Sequence, residues 1–551
     1  MEERVWLKNY PDYVPRKLDI DSFNNVLEFI EEAVEKFPDH IAFKNMDVTL
    51  TYKKVDELSD AFAWYLQNKT NLQIGDRIAI QMPNLLQFPI ALFGAIKAGM
   101  IVVNTNPLYT PGEMKHQFND AGVKALVILE NFGSNLEQIV SETSIETVIV
   151  TRIGDLLGGL KGGIVNFVVK KVKKMVPAYN IKGKQMFKAA LKAGQGKKPN
   201  RHYAKQDDTL FLQYTGGTTG VSKGAELTHK NLIANILQVN AWIGNRFKPG
   251  DEVIVTALPL YHIFALTVNC FVFFNIGALN VLITNPRDMR AFMKDLKKNP
   301  FSYFTGVNTL FNGMMNQPEF DEIDFSKAQI SIGGGMALQD VVANEWKRRA
   351  GHDLLEGYGL SETSPVACVD PTDGSHRIGS IGFPVPETDI ILVDDDYNEV
   401  PVGTDGEVAI KGPQVMKAYW NRPTETENAF VNGYFLTGDI GVMDEEGYFK
   451  IVDRKKEMIN VSGFNVYPSE VEAVIAEHPK VLEVGVKGVP DEKSTEVAMA
   501  FIVKKDDSLT PDEIREFCKD KLTNYKIPKH VVFRDELPKS NVGKILRRLM
   551  E

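Results

Sequence analysis

Two hydrophobic periods alternate along this chain. Runs such as Arg77 to Met82, Ala125 to Leu129, Thr147 to Thr151, Val253 to Leu258 and Gln329 to Ile332 are short and apolar, as buried strands are. Between them, stretches such as Tyr52 to Gln67 place apolar side chains every three or four residues, the spacing of an amphipathic helix. The alternation predicts a layered α/β architecture. After about Lys450 the rhythm changes. Ser469-Glu470-Val471-Glu472 behind Pro468 reads as a capping box, Val481 to Lys487 and Val497 to Val503 read as strands, and Thr510-Pro511-Asp512-Glu513 opens a capped helix. This predicts a second, smaller α+β domain of roughly a hundred residues.

One stretch has the length of a membrane span: Ile263 to Ile283 carries no charge. Asn269, Asn275, Gly277 and Asn280 interrupt it, and Ala278 to Thr284 has the character of a strand after a turn, so a core helix followed by a core strand is expected. Residues 152–201 differ from their surroundings, with thirteen Lys or Arg against the single acid Asp155. On a helical wheel Ile164, Val165, Val168, Val169, Val172, Met175 and Val176 share one face, while Lys170, Lys171, Lys173 and Lys174 share the other. Such a helix suits an anionic membrane surface, and equally a solvated charged face packed on the protein.

Composition narrows the function. At 551 residues, 44% hydrophobic and 25% charged, the chain is expected to form two or more globular domains. A net charge of −9 argues against a general nucleic-acid binder. Cys270, Cys368 and Cys518 lack metal-ligand spacing and read as buried free thiols of a reducing compartment. The start, Met1-Glu2-Glu3-Arg4-Val5-Trp6, has early acids and no apolar h-region, so no secretory signal is expected and the protein is placed in the cytosol.

The candidate chemistry begins at Tyr214-Thr215-Gly216-Gly217-Thr218-Thr219-Gly220-Val221-Ser222-Lys223-Gly224. It follows an apolar run that reads as a strand, Thr209 to Tyr214, and precedes a helical pattern from about Asn231. Glycines let backbone N–H groups converge on phosphate oxygens, threonines add donors, and Lys223 brings a positive charge. Because Lys223 is followed by Gly224, the common G-x-x-x-x-G-K-[ST] loop is excluded. A flexible surface loop remains the alternative. Downstream, Ser331-Ile332-Gly333-Gly334-Gly335 reads as a strand running into glycines that admit a flat ligand or a phosphate. Glu356-Gly357-Tyr358-Gly359-Leu360-Ser361-Glu362-Thr363 supplies an aromatic ring, hydroxyls and a carboxylate, and Gly433 to Asp439 ends in an acid after a turn.

Taken in order, these motifs resemble the adenylate-forming superfamily over the whole chain, and within it the bacterial long-chain fatty acyl-CoA synthetases. Further matching stretches are Asn106 to Pro111, Leu258 to Phe264, Thr305 to Thr309, Thr437 to Ile440, Asp453 to Lys456, Ser462 to Pro468 and Leu537 to Lys544; Ser361 stands where threonine is usual. The resemblance implies that ATP and a fatty acid form acyl-AMP and pyrophosphate, after which CoA displaces AMP, with Mg²⁺ assisting. It implies Glu362, with Thr215 as a second candidate, as magnesium ligand, and Thr215, Gly216, Gly217, Thr218, Thr219, Gly220 and Lys223 around the phosphates. Gly333, Gly334, Gly335 and Tyr358 would surround the adenine, Gly359 and Ser361 would also bind the nucleotide, and Asp439 with Arg454 would hold the ribose. Lys544 would bridge carboxylate and α-phosphate, and His262, Phe264 and Val307 would line the acyl pocket, with a tunnel along Tyr261 to Phe274. Domains of 1–453 and 457–551 would turn about a hinge at 454–456, pivoting at Lys456, so that Ser462, Gly463 and Phe464 replace Lys544 for the CoA step. Transfer of the acyl group to a carrier protein, a medium-chain preference, and a nucleotide-dependent membrane-binding protein stay open as alternatives.

Overall fold

The computed structural model describes residues 4–215, 222–491, 493–540 and 543–551. Among them, two large sheets face a shared helical layer. The nine-stranded sheet runs Phe383–Pro384, Val366–Val369, Leu354–Gly359, Ile330–Gly334, Tyr303–Gly306, Val253–Thr256, Leu279–Leu282, Ile41–Asn45 and Val48–Thr51, the six from Leu354–Gly359 to Ile41–Asn45 being parallel. The eight-stranded sheet runs Ala418–Tyr419, Lys223–Thr228, Thr209–Thr215, Ile101–Asn104, Arg77–Gln81, Val123–Leu129, Thr147–Thr151 and Gln185–Met186, parallel from Thr209–Thr215 onward. The strands read from the sequence are all present, within a few residues at their ends.

The layer between the sheets explains the charge-free stretch. Phe93, on the wholly buried helix Gln87–Lys97, packs against Phe271 and Phe274 of the following core, and Phe211 of the eight-stranded sheet reaches Phe271. Residues Ala265–Val272 form a wide helical turn continued by Phe273–Asn275, and Leu279–Leu282 is a central strand. A helix apolar all round belongs inside a protein when sheets cover both sides. No described helix is long and apolar enough to cross a membrane. Lys97 lies within this apolar helix yet is fully buried, and it is held there by Asp56 at 2.5 Å and Asp60 at 2.7 Å.

A five-stranded antiparallel sheet follows, built on Tyr434–Met443 with Gly406–Lys411, Asp389–Val393, Phe430–Val431 and Phe449–Arg454. The C-terminal part has its own sheet of Phe464–Val466, Ile459–Val461, Thr495–Lys504, Val481–Asp491 and His530–Arg534, with a separate core around Val471, Ile475, Val486, Ile502 and Ile514. Thr510 caps the helix Pro511–Lys519 as expected, accepting from the Glu513 N–H.

Three local expectations are corrected. Ser469 is not an N-cap: Pro468 occupies the first position of the helix Pro468–Ala476, and the Ser469 N–H donates to Asp453 instead. Strand Thr209–Thr215 leads to the expected helix by way of a second strand. It pairs antiparallel with Lys223–Thr228, and only then does Thr228 cap the helix His229–Ile243. The basic segment is not one continuous amphipathic helix either. Gly159–Phe167 is followed by a wider turn over Val168–Val172, which breaks the 100° period; Val165, Val168, Val169 and Val176 are half-buried while Ile164, Val172 and Met175 are exposed. Finally, the charges of Asp453 to Lys456 predict a solvated linker, but only Lys455 and Lys456 are exposed, since Asp453 is buried and Arg454 is paired with Asp439.

Candidate active site

One cavity of about 1320 Å³ opens where the sheets meet the small C-terminal domain. Its floor consists of strand ends. Thr215 closes Thr209–Thr215, Gly334 and Gly335 close Ile330–Gly334, Tyr358 and Gly359 close Leu354–Gly359, and Val307 follows Tyr303–Gly306. Carboxyl ends of parallel strands are where open α/β sheets expose backbone groups to ligands. A side chain at Gly334 would put its Cβ 2.9 Å from the Phe264 ring, so glycine is what lets Phe264 lie against the strand.

At the polar end, Glu362 lines the cavity from the turn Ser361–Thr363, and its Oε1 accepts from the Tyr419 hydroxyl at 2.8 Å. Burial raises its carboxyl above the usual range, opposed by Tyr419, Arg454 and Lys223. The Lys223 ammonium sits 4.2 Å from the centroid of the Tyr419 ring, which aims a cation toward the same corner. On a neighbouring wall the Tyr358 hydroxyl donates to Asp439 at 2.7 Å, and Arg454 Nε meets the other Asp439 oxygen at 2.6 Å. Burial raises the Asp439 carboxyl, while Arg454 and Tyr358 oppose the shift.

Lys544 enters this cavity from the C-terminal domain. Burial lowers its ammonium, as does Arg454, and Asp439 and Glu457 hold it up. His262 faces the same space. Its Nδ1 accepts from the Phe264 N–H at 3.3 Å, and burial together with Lys544 pushes the imidazole down to about 4, so it is neutral at pH 7. The other end of the cavity is apolar. Val239, Trp242 and Ile243 of the helix His229–Ile243 line it with Val268, Val366 and Val369.

Most of the residues singled out from the sequence converge here: Thr215, Lys223, His262, Phe264, Val307, Gly334, Gly335, Tyr358, Gly359, Ser361, Glu362, Arg454, Lys456 and Lys544 all line the cavity. Gly216, Gly217, Thr218, Thr219 and Gly220 lie outside the described residues. Gly333 and Asp439 do not reach the surface of the cavity. Gly333 is buried inside its strand, and Asp439, in mid-strand and not at the end of a turn, sits behind Tyr358 and Arg454. Ser462, Gly463 and Phe464 are away from it too. Ser462 and Gly463 form the tight turn of a hairpin with φ of 52° and 89°, and Phe464 is exposed and stacked on Tyr525. The tunnel expected along Tyr261 to Phe274 is only partly formed by that stretch: Tyr261, His262, Ile263, Phe264 and Val268 line the cavity, whereas Phe271 and Phe274 pack into the core behind.

The lining from Val239, Trp242 and Ile243 was not read from the sequence. Their helix has the periodicity of any buried helix, and only the sheet order reveals that one face of it borders a space. Arg547, which also lines the cavity, stands three residues beyond Lys544 in a tail that carries no pattern of its own.

Comparison with known proteins agrees with this geometry. Residues 30–420 match the family described as AMP-binding enzyme, and residues 470–544 match the AMP-binding enzyme C-terminal domain. A long-chain-fatty-acid–CoA ligase of Escherichia coli O6:H1 is 54% identical over 99% of this chain and 97% of its own length. One from Bacillus subtilis is 36% identical over 99% and 97%. Among solved structures, ATP-bound MatB from Rhodopseudomonas palustris superposes with a TM-score of 0.81 at 27% identity, covering 95% of this chain and 98% of that one. With a large mixed α/β domain, a small C-terminal domain and full-length relatives of this kind, the chain belongs to the AMP-binding enzyme family of adenylate-forming proteins.

Proposed function

We propose that the protein joins a long-chain fatty acid to CoA in two steps, forming acyl-AMP and pyrophosphate from ATP and then releasing AMP as the CoA thiol takes the acyl group. The observation that carries this reading is a single cavity, apolar at the Trp242 end and polar at the Glu362 end, with Lys544 reaching into it.

A fatty carboxylate and a triphosphate repel one another, so the first step needs cations that meet the charge of the transition state. Lys544 holds the carboxylate against the α-phosphate, and Lys223 and the backbone near Thr215 take the outgoing phosphates. Tyr358 flanks the base, and Arg454, oriented by Asp439 behind it, meets the ribose. The Glu362 carboxylate and the Thr215 hydroxyl are oxygen donors suited to Mg²⁺. No cluster of three or more His, Cys, Asp or Glu able to cage a metal occurs among the described residues, which fits an ion shared with substrate phosphates. Bound there, Mg²⁺ would neutralise phosphate charge. Neutral His262 keeps the acyl side of the reaction centre free of a second positive charge.

For the second step the small domain turns about Lys456, withdrawing Lys544 and bringing Ser462, Gly463 and Phe464 inward to line a path for CoA. The exposed Phe464 ring is free to make this move without disrupting a core. The reading extends to location: a cytosolic enzyme that touches the anionic inner face of the plasma membrane through residues 160–175. There Leu160, Ile164, Phe167, Val172 and Met175 are exposed beside Lys171, Lys173 and Lys174.

The test is ATP-dependent CoA consumption across saturated acids of graded length, with AMP and pyrophosphate quantified. Stoichiometric AMP, pyrophosphate and thioester, with the highest kcat/KM on long acids, is expected. Acyl-AMP that CoA fails to discharge but a carrier protein accepts would replace CoA in this reading, and a maximum at medium-chain acids would replace the long-chain substrate.

A further inference from the structure

Arg547 makes the densest set of charged contacts in the C-terminal part. Its Nε and Nη2 meet the two oxygens of Glu472 at 2.9 and 2.7 Å, Nη2 donates to Ser469 Oγ at 2.8 Å, and Nη1 meets Asp453 Oδ1 at 2.8 Å and also Glu457. The arginine side chain is 14% exposed and that of Asp453 only 2%.

The positions of these acceptors in the chain matter more than their number. Asp453 belongs to strand Phe449–Arg454 of the large domain's antiparallel sheet, whereas Glu457, Ser469 and Glu472 lie beyond Lys456. One guanidinium therefore joins residues on both sides of the proposed pivot, and Asp453 receives a second bond across it from the Ser469 N–H at 2.7 Å. A planar fork with fixed donor directions satisfies both sides in one relative orientation only. Turning the backbone at Lys456 carries Arg547 away from Asp453, and a carboxylate buried to that extent is costly to leave without its partner.

We infer that Arg547 is a positioning residue for adenylation: by clamping Asp453 across the pivot it holds the small domain in the orientation that puts Lys544, three residues earlier, into the cavity. This rests on the two-step reading with Lys544 acting in the first step. The clamp must break for thioester formation, so its loss affects the two half-reactions unequally.

The experiment measures both half-reactions separately, pyrophosphate release from ATP and fatty acid, and thioester formation from supplied acyl-AMP and CoA. Arg547→Gln should slow the first by about ten-fold or more and change the second by less than about three-fold. Asp453→Asn should do the same while leaving the Arg547 bonds to Glu472 intact, so it serves if Arg547→Gln does not fold. The double variant should be no slower than the worse single one. Equal losses in both half-reactions, unchanged adenylation, or additive effects would overturn the clamp. Lys544→Ala, run alongside, separates this idea from its premise: if that variant adenylates normally the premise falls, and if it does not while Arg547→Gln does, only the clamp falls.

Discussion

The Thr309 hydroxyl donates to the carbonyl oxygen of Gly543 at 2.9 Å, tying the large domain to the residue immediately before Lys544. Gly543 has φ of +87°, and a Cβ there would lie 2.9 Å from Thr309 Oγ1. The turn that delivers the lysine is thus fitted against the large domain by its backbone. Gly543→Ala should slow acyl-AMP formation by about ten-fold, since left-handed backbone costs a side chain roughly 1–2 kcal/mol before the collision is counted. Wild-type pyrophosphate release in that variant would show that the Thr309 contact does not set the position of Lys544.

Lys544→Ala should abolish acyl-AMP formation and spare much of the thioester step from supplied acyl-AMP, because in the proposed mechanism the lysine's charge is needed only while carboxylate and phosphate are brought together. Equal loss in the two half-reactions would remove Lys544 from its assigned role.

Trp242 separates the apolar end of the cavity from the N-terminal segment, where Tyr10 packs edge-on at 5.4 Å between ring centroids. Trp242→Leu should lengthen that end and move the kcat/KM maximum toward longer acids, each buried methylene being worth about 0.8 kcal/mol. An unchanged profile in a variant that folds normally would place the end of the acyl site elsewhere.

The proposed membrane contact makes a different demand. Lys170 lies 3.7 Å from Glu130, so Lys171, Lys173 and Lys174 are the better anchors, each contributing roughly 1 kcal/mol near an anionic surface at low salt. Changing these three to Glu, or Ile164 and Phe167 to Ser, should release the protein from anionic vesicles while turnover of a soluble acid is retained. Wild-type protein that does not co-sediment with such vesicles at low salt would reduce the segment to a charged face.

His229 is buried, its Nδ1 accepts from the Val26 N–H at 3.1 Å, and burial pushes it down to about 4 from 6.5. Below pH 6.5 the unfolded chain gains a proton that the folded one refuses until about pH 4, so stability falls as the medium is acidified through that window. At pH 5 the loss from this one group is roughly 2 kcal/mol. Asn retains an acceptor without titrating, and His229→Asn should lose less Tm between pH 7 and 5 than wild type does. Identical losses would show that other groups carry the acid response.

What the sequence disclosed follows from which interactions are local. Alternating periods revealed the strands, because a strand buried on both faces must be apolar throughout. Gly334, Tyr358, Glu362 and Lys544 were legible because motif residues keep their spacing whatever surrounds them. Trp242 and Asp453 were not. One belongs to a helix indistinguishable from other core helices, and the other sits in a charged run that looks solvated until a distant arginine and the Ser469 N–H close over it. The basic segment misled for a related reason: a wheel assumes one helical pitch, and Val168–Val172 winds wider.

The apolar end of the cavity is built wholly from the large domain, by Val239, Trp242, Ile243, Val268, Val366 and Val369, whereas Lys544 arrives from the small one. On the proposed two-step reading, an acyl tail lodged among those side chains would stay moored while the small domain swings and the reactive adenylate at its head is briefly uncovered. Retention of the intermediate is then governed by hydrocarbon length, each further methylene slowing escape by about four-fold until the site is full. Short acids would be squandered, their adenylates drifting off to hydrolyse, and long ones carried through to thioester in a single visit.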